Sequence, residues 1–144
     1  MRKSLIASVF ILAAGAGFLT GSPVQAAEKT PEQAAQQAAE SWLALVDSGD
    51  YSKSWDQSAQ LIKGQVASEQ FAGSLQNARG SFGKLLSRTL KSAQYAKILP
   101  GAPDGEYVVI QYQTSFEQKQ SAIETITPAL EKDGQWRVPG YFIK

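Results

Sequence analysis

The chemistry open to this 144-residue chain is that of carboxylates, tyrosines, lysines and hydroxyls, because it contains neither cysteine nor histidine. Their absence removes thiolate nucleophiles, disulfides and cysteine zinc sites. It also removes the commonest general base and the commonest transition-metal ligand. Spacing must then single out what remains. Asp47 and Asp50 flank Gly49 and could form an acid/base pair or a cation site. Calcium loops, however, need several oxygen ligands at close, regular spacing, and Asp47-Ser48-Gly49-Asp50 offers too few. The plainer reading makes Asp47 a helix-end residue and Asp50 an N-cap. No catalytic set, metal site or cofactor motif is assigned.

Aromatic and guanidinium groups supply the ligand-binding candidates. Trp42, Tyr51 and Trp55 are close enough in sequence to make an aromatic platform, or to form the core that seals one helix onto the next. Asp56 could act as a pocket base, with Tyr112 or Tyr95 polarising a carbonyl, although nothing in the spacing demands it. Arg79 and Arg88 border a helix-to-sheet junction and could each grip a carboxylate or phosphate as a fork. Their structural reading is an ion pair with Glu106 or Glu124, or a bond to a carbonyl. Trp42, Tyr51, Trp55, Arg88 and Tyr112 are the candidate ligand-binding residues. The Leu99–Glu106 loop carries two prolines and two glycines but no phosphate cradle. It reads as a rigid strand connection. Lys84, Lys91 and Lys97 read as a solvated strand edge that resists edge pairing.

These residues must be positioned by helices first and strands after. Thr30-Pro31-Glu32-Gln33 combines a cap, a proline for the first helical position and a capping box. Ala35, Ala38, Trp42, Leu45 and Val46 then form one apolar stripe, and Gly49 stops the helix. Asp50 caps a second helix in which Tyr51, Trp55 and Ala59 share a face. A third starts at Ser68, carries Phe71, Leu75, Ala78 and Phe82, and ends at Gly80 and Gly83. The period then changes. Strands are expected over Leu85–Leu99, Val108–Phe116, Ala122–Glu131 and Trp136–Ile143, the second being the clearest alternation. The order indicates an α+β fold, with N-terminal helices packed on one face of a curved four-stranded antiparallel sheet.

The final hairpin can be placed in register. A two-residue Asp133-Gly134 turn would set Lys132 opposite Gln135 and put the apolar sides out of phase. A three-residue loop with Gly134 in the left-handed conformation sets Leu130 opposite Trp136, Pro128 opposite Val138, Ile126 opposite Gly140 and Glu124 opposite Phe142. A one-residue slip reverses every side chain, so the buried face selects this second register, with a glycine bulge at Gly134. Pro128 and Pro139 each remove a ladder donor and imply a bulge or an edge nearby.

Residues 1–26 read as a segment outside the fold. Arg2 and Lys3 precede an apolar run from Leu5 to Phe18, Gly21-Ser22-Pro23 breaks it, and Val24-Gln25-Ala26 suits a signal peptidase. This is the pattern of a cleaved Sec signal peptide. The run is shorter than the roughly 18–20 residues a membrane span needs. Export to the periplasm or the medium follows, with no stable membrane insertion after cleavage. Residues 27–144 are then a single domain, in which 12 basic residues face 13 acidic ones. No basic stripe marks a nucleic-acid partner. A chain of this size buries roughly two thirds of its unfolded surface, enough for one core.

Trp42-Leu43-Ala44-Leu45-Val46-Asp47-Ser48-Gly49-Asp50-Tyr51 with Trp55 resembles the opening helix of the bacterial domain-of-unknown-function 4019 family. Ser87-Arg88-Thr89, Leu99 to Tyr107, Thr125, Trp136-Arg137-Val138 and Gly140-Tyr141-Phe142-Ile143 extend the resemblance over about Ala34 to Ile143. It implies a small exported bacterial protein with no assigned activity, and supplies no catalytic residues. The arrangement also looks like the nuclear-transport-factor-2-like cone or a cystatin-like fold, the cone implying a pocket between helix and sheet. Three functions stay open: a non-enzymatic domain binding a small molecule or an envelope protein, a small isomerase or hydrolase using Asp and Tyr, and a structural accessory protein with a filled core.

Overall fold

The computed structural model describes residues 26–144. The expected signal segment lies outside the described residues, apart from Ala26. Among the described residues four helices precede six strands: α1 Pro31–Asp47, α2 Tyr51–Asp56, α3 Gln60–Lys63, α4 Ser68–Arg79, β1 Leu85–Ala96, β2 Tyr107–Phe116, β3 Lys119–Ile126, β4 Ala129–Leu130, β5 Trp136–Arg137 and β6 Tyr141–Ile143. The architecture is α+β. Its strand ladders are antiparallel. The sheet has six strands rather than four because each of the last two expected strands is broken at its proline. β3 and β4 stay in one register on β2, from Ile110 opposite Ile126 to Tyr107 opposite Ala129.

Local chemistry sets the helix ends. Thr30 accepts from the Gln33 amide and Gln33 reaches back to the Thr30 amide, a complete capping box. At the other end the Asp50 amide donates to the Leu45 carbonyl at 2.9 Å and the Gly49 amide to Val46 at 3.1 Å. This is a Schellman motif, with Gly49 at φ +78° as it requires. Asp50 then caps α2 by accepting from the Lys53 amide. One residue therefore closes one helix and opens the next.

Three elements depart from expectation. The buried stripe of α1 is Ala35, Ala39, Trp42, Leu43 and Val46. It is rotated from the expected one, so that Ala38 and Leu45 flank it. Ala59 lies beyond α2 and precedes the short helix α3, which periodicity did not reveal because it is a single turn. Phe82 lies beyond α4 and packs on Phe116, ring centroids 5.6 Å apart.

The hairpin is in the expected register at its turn. Leu130 pairs with Trp136, Ala129 with Arg137, and Gly134 has φ +79°. Beyond the prolines it is not. There Thr125 faces Phe142, Ile126 faces Tyr141 and Glu124 faces Ile143. Two residues, Thr127 and Pro128, oppose three, Val138 to Gly140, so an extra residue enters the last strand. The expected inward Phe142 is instead 61% exposed, and Tyr141 turns inward. β1 is an edge strand with bulges at Leu86 and Lys91, the exposed Lys91 standing at the second.

Candidate functional site

The inward turn of Tyr141 completes a polar cluster inside the helix–sheet sandwich. Asp47 comes from the last residue of α1, Arg79 from the end of α4, Arg88 from β1, Thr114 from β2, Glu124 from β3 and Tyr141 from β6. Arg88 donates from Nε to Glu124 Oε1 at 2.7 Å and from Nη2 to Oε2 at 3.2 Å. The same guanidinium donates to Asp47 Oδ2 at 2.7 Å and Oδ1 at 3.0 Å. Arg79 donates to Asp47 Oδ1 at 2.8 Å and lies 3.8 Å from Glu124 Oε2. Thr114 donates to Glu124 Oε1 at 2.6 Å, and the Tyr141 hydroxyl donates to Oε2. Glu124, wholly buried, thus accepts four hydrogen bonds, which fills its acceptor capacity. Two guanidiniums and two carboxylates balance in charge.

Electrostatics follow this geometry. Burial alone would raise the Asp47 carboxyl, but the hydrogen bonds and charges of Arg88 and Arg79 outweigh it and hold the group below the usual aspartate value. Burial works against the Arg88 charge too, and its bonds to Asp47 and Glu124 reverse that effect. Burial, then the neighbouring Glu124 charge, raises the Tyr141 phenol and keeps it a donor. The Arg79 guanidinium also lies 4.4 Å over the Phe116 ring, a favourable cation–π placement. Its Nε is buried without a partner.

The five sequence candidates are not brought to one place. Trp42 is buried, its indole N–H shared between the Ser54 carbonyl at 2.9 Å and Ser58 Oγ at 3.0 Å. Tyr51 packs against the core from the start of α2. Trp55 is half-buried, donates to the Val66 carbonyl at 2.9 Å and lies under the Lys63 ammonium. Arg88 belongs to the charged cluster. Tyr112 sits in the core with its hydroxyl buried and unpartnered. Burial pushes that phenol up to about 12. Tyr95 donates to Glu106 at 2.6 Å.

Open space adjoins Trp42 on two sides. A cleft of about 650 Å³ is lined by Gln37 and Ser41 of α1, Asp56, Gln57, Gln135, Trp136 and Arg137. Its Arg137 is held by Glu131 at 2.6 Å and Asp133 at 2.9 Å. A second groove of about 470 Å³ runs between α4 and the last strand, past Phe71, Leu75, Ala78 and Tyr141, with Ile62 of α3 at its lining. Asp56 lines the first space, and neither Tyr112 nor Tyr95 lines either one. The Asp–Tyr pair that an isomerase would need is therefore not assembled at either. Among the described residues, no group of three or more carboxylates could hold a metal ion, and no helix is long and apolar enough to cross a membrane.

Residues 38–141 match the family described as protein of unknown function (DUF4019). The chain belongs to this DUF4019 family. A comparison with curated proteins finds no match. The family match contains every residue of the charged cluster, from Asp47 through Arg79, Arg88, Thr114 and Glu124 to Tyr141, and most of the lining of both spaces beside Trp42. Sequence reasoning had named Asp47 as a helix end and Glu124 as one partner for the arginines. It missed Thr114 and Tyr141. The hydroxyl of Thr114 lies on the inward face of the β2 alternation, which was a usable signal. Tyr141 had none, because its orientation depends on the extra residue after Val138.

Proposed function

We propose that this DUF4019 protein is an exported, non-enzymatic binding domain of the periplasm or the medium, receiving a small molecule or an envelope protein beside Trp42. The observation that carries this reading is the saturation of the interior charges by one another. Glu124 has four donors, and Asp47 has three. Glu124 so engaged has no lone pair left for a reacting proton, and Asp47 is held between two guanidiniums. The accessible volume lies instead beside Trp42, where Gln and Ser side chains line the cleft with Asp56, Trp136 and Arg137, and mostly apolar side chains line the groove.

The test is native isolation from an envelope extract, followed by mass spectrometry of the intact protein and of what accompanies it. The expected chain begins at Ala27, with a ligand or partner that is lost in Gln57→Arg, which blocks the cleft, or in Ala78→Arg, which blocks the groove. Absence of any companion, together with a hydrolytic or isomerising activity abolished by Asp56→Asn, would overturn the reading.

A further inference from the structure

The last strand ends the sheet beside α4, and its free side is chemically specific. Lys144 and Ile123 exchange both backbone hydrogen bonds, at 2.9 and 3.1 Å, and the Thr127 amide donates to the Gly140 carbonyl at 3.1 Å. Residues 140, 142 and 144 therefore turn their backbone groups toward β3. By the alternation of an antiparallel ladder, the N–H and C=O of Tyr141 and Ile143 point the other way, where no strand among the described residues pairs with β6.

The chain itself uses this free side once. Ser58 bridges Val138 in parallel, the Ala59 amide donating to the Val138 carbonyl at 3.0 Å. It then turns into α3 at Gln60 and leaves the rest of the edge open. The open stretch coincides with the groove of about 470 Å³, which no charged residue lines. Trp42, Phe71, Leu75 and Ala78 form its wall, and Ile62 stands where α3 leaves the strand.

We infer that this groove binds an extended, uncharged peptide segment of a partner protein, added as a further strand on β6 with alternate apolar side chains against α4. The inference rests on the binding reading above and names the class of partner. A row of free backbone donors and acceptors at strand spacing is satisfied by another extended backbone. The uncharged lining excludes buried Lys, Arg, Asp or Glu from the inward positions, since an unpaired buried charge is costly. The space holds a short segment's side chains rather than the flat face of a second domain.

The probe is a panel of acetylated, amidated hexapeptides alternating Thr with Val, Leu, Phe or Tyr, titrated into the ¹⁵N-labelled protein. At least one should slow hydrogen exchange of the Tyr141 and Ile143 amides about tenfold and shift the Phe71, Leu75 and Ala78 signals. N-methylation of alternate peptide bonds should weaken binding about tenfold in one register and leave the other nearly unchanged, because only one set of N–H groups faces the strand. Ala78→Arg should weaken it by at least as much. No binding by any hexapeptide, equal effects of both N-methyl registers, or self-association through β6 in sedimentation would overturn the inference. If a natural companion survives Ala78→Arg but is lost in Gln57→Arg, the binding reading stands and the peptide groove falls.

Discussion

Replacing Glu124 with Gln isolates the contribution of the interior charges. The carboxylate is wholly buried and accepts from Arg88 twice, from Thr114 and from Tyr141. An amide of the same shape has one acceptor oxygen, so it keeps the donors on one side and presents its own N–H₂ to those on the other. Two charge-assisted bonds are lost, each contributing about 1.5–3 kcal/mol. Two guanidiniums are then left with one carboxylate. Removal of one member of a buried ion pair costs about 3–5 kcal/mol, and the two routes describe the same loss rather than adding. The expected destabilisation in Glu124→Gln is therefore about 3–5 kcal/mol, a large share of the roughly 5–15 kcal/mol that holds an ordinary domain together. The corresponding fall in Tm is about 10–25 °C for a domain of this size. Urea and thermal unfolding followed by circular dichroism measure it, with the exposed Glu69→Gln as a control that should stay within about 0.5 kcal/mol. The double variant Arg88→Met, Glu124→Leu leaves Arg79 with Asp47, one charge of each sign, and should recover much of the loss. A single variant within about 1 kcal/mol of the parent, or a double variant no better than the single, would refute the reasoning.

Two further outcomes follow from the same structure. Because Arg88 and Arg79 hold Asp47 below its unfolded value near 3.8, its contribution is fully present above that pH and is lost as pH falls through the folded value. The stability gap between the parent and Asp47→Asn should be widest near pH 7 and shrink steadily below about pH 4, as read by urea unfolding at several pH values. The displaced register beyond Pro139 predicts that Phe142→Ser changes stability by less than about 0.5 kcal/mol, as for an exposed site. Tyr141→Phe should cost about 1.5–3 kcal/mol through its bond to Glu124. Reversed effects in denaturant titrations would restore the undisplaced register.

Sequence legibility tracked the range of the interaction. Features decided within four or five residues were readable: the Thr30–Gln33 box, the stop at Gly49, the cap at Asp50, the alternation of β2 and the turn at Gly134. The register at the turn was readable because glycine geometry and the apolar face agree there. It failed six residues later, because an extra residue at Val138–Gly140 changes no composition yet exchanges the faces of everything after it. The prolines signalled trouble in that stretch without saying which strand would absorb it. The α1 stripe was misplaced by a fraction of a turn because alanines crowd both sides and hydrophobicity cannot rank Ala38 against Ala39. The charged cluster was the least legible part. Its partners lie tens of residues apart in the chain, and single carboxylates and arginines give no sign of who meets whom until the sheet exists.

The cluster also bears on how the domain comes apart. Its members sit on α1, α4, β1, β2, β3 and β6, so no helix or strand among these can lift away without unbalancing the charges or taking a hydrogen-bond donor from Glu124. Partial opening is thereby penalised throughout the sandwich, and the amides around Asp47, Thr114 and Glu124 should exchange with solvent only through complete unfolding. In a chain without a single cysteine, these bonds tie six elements together with no covalent cross-link.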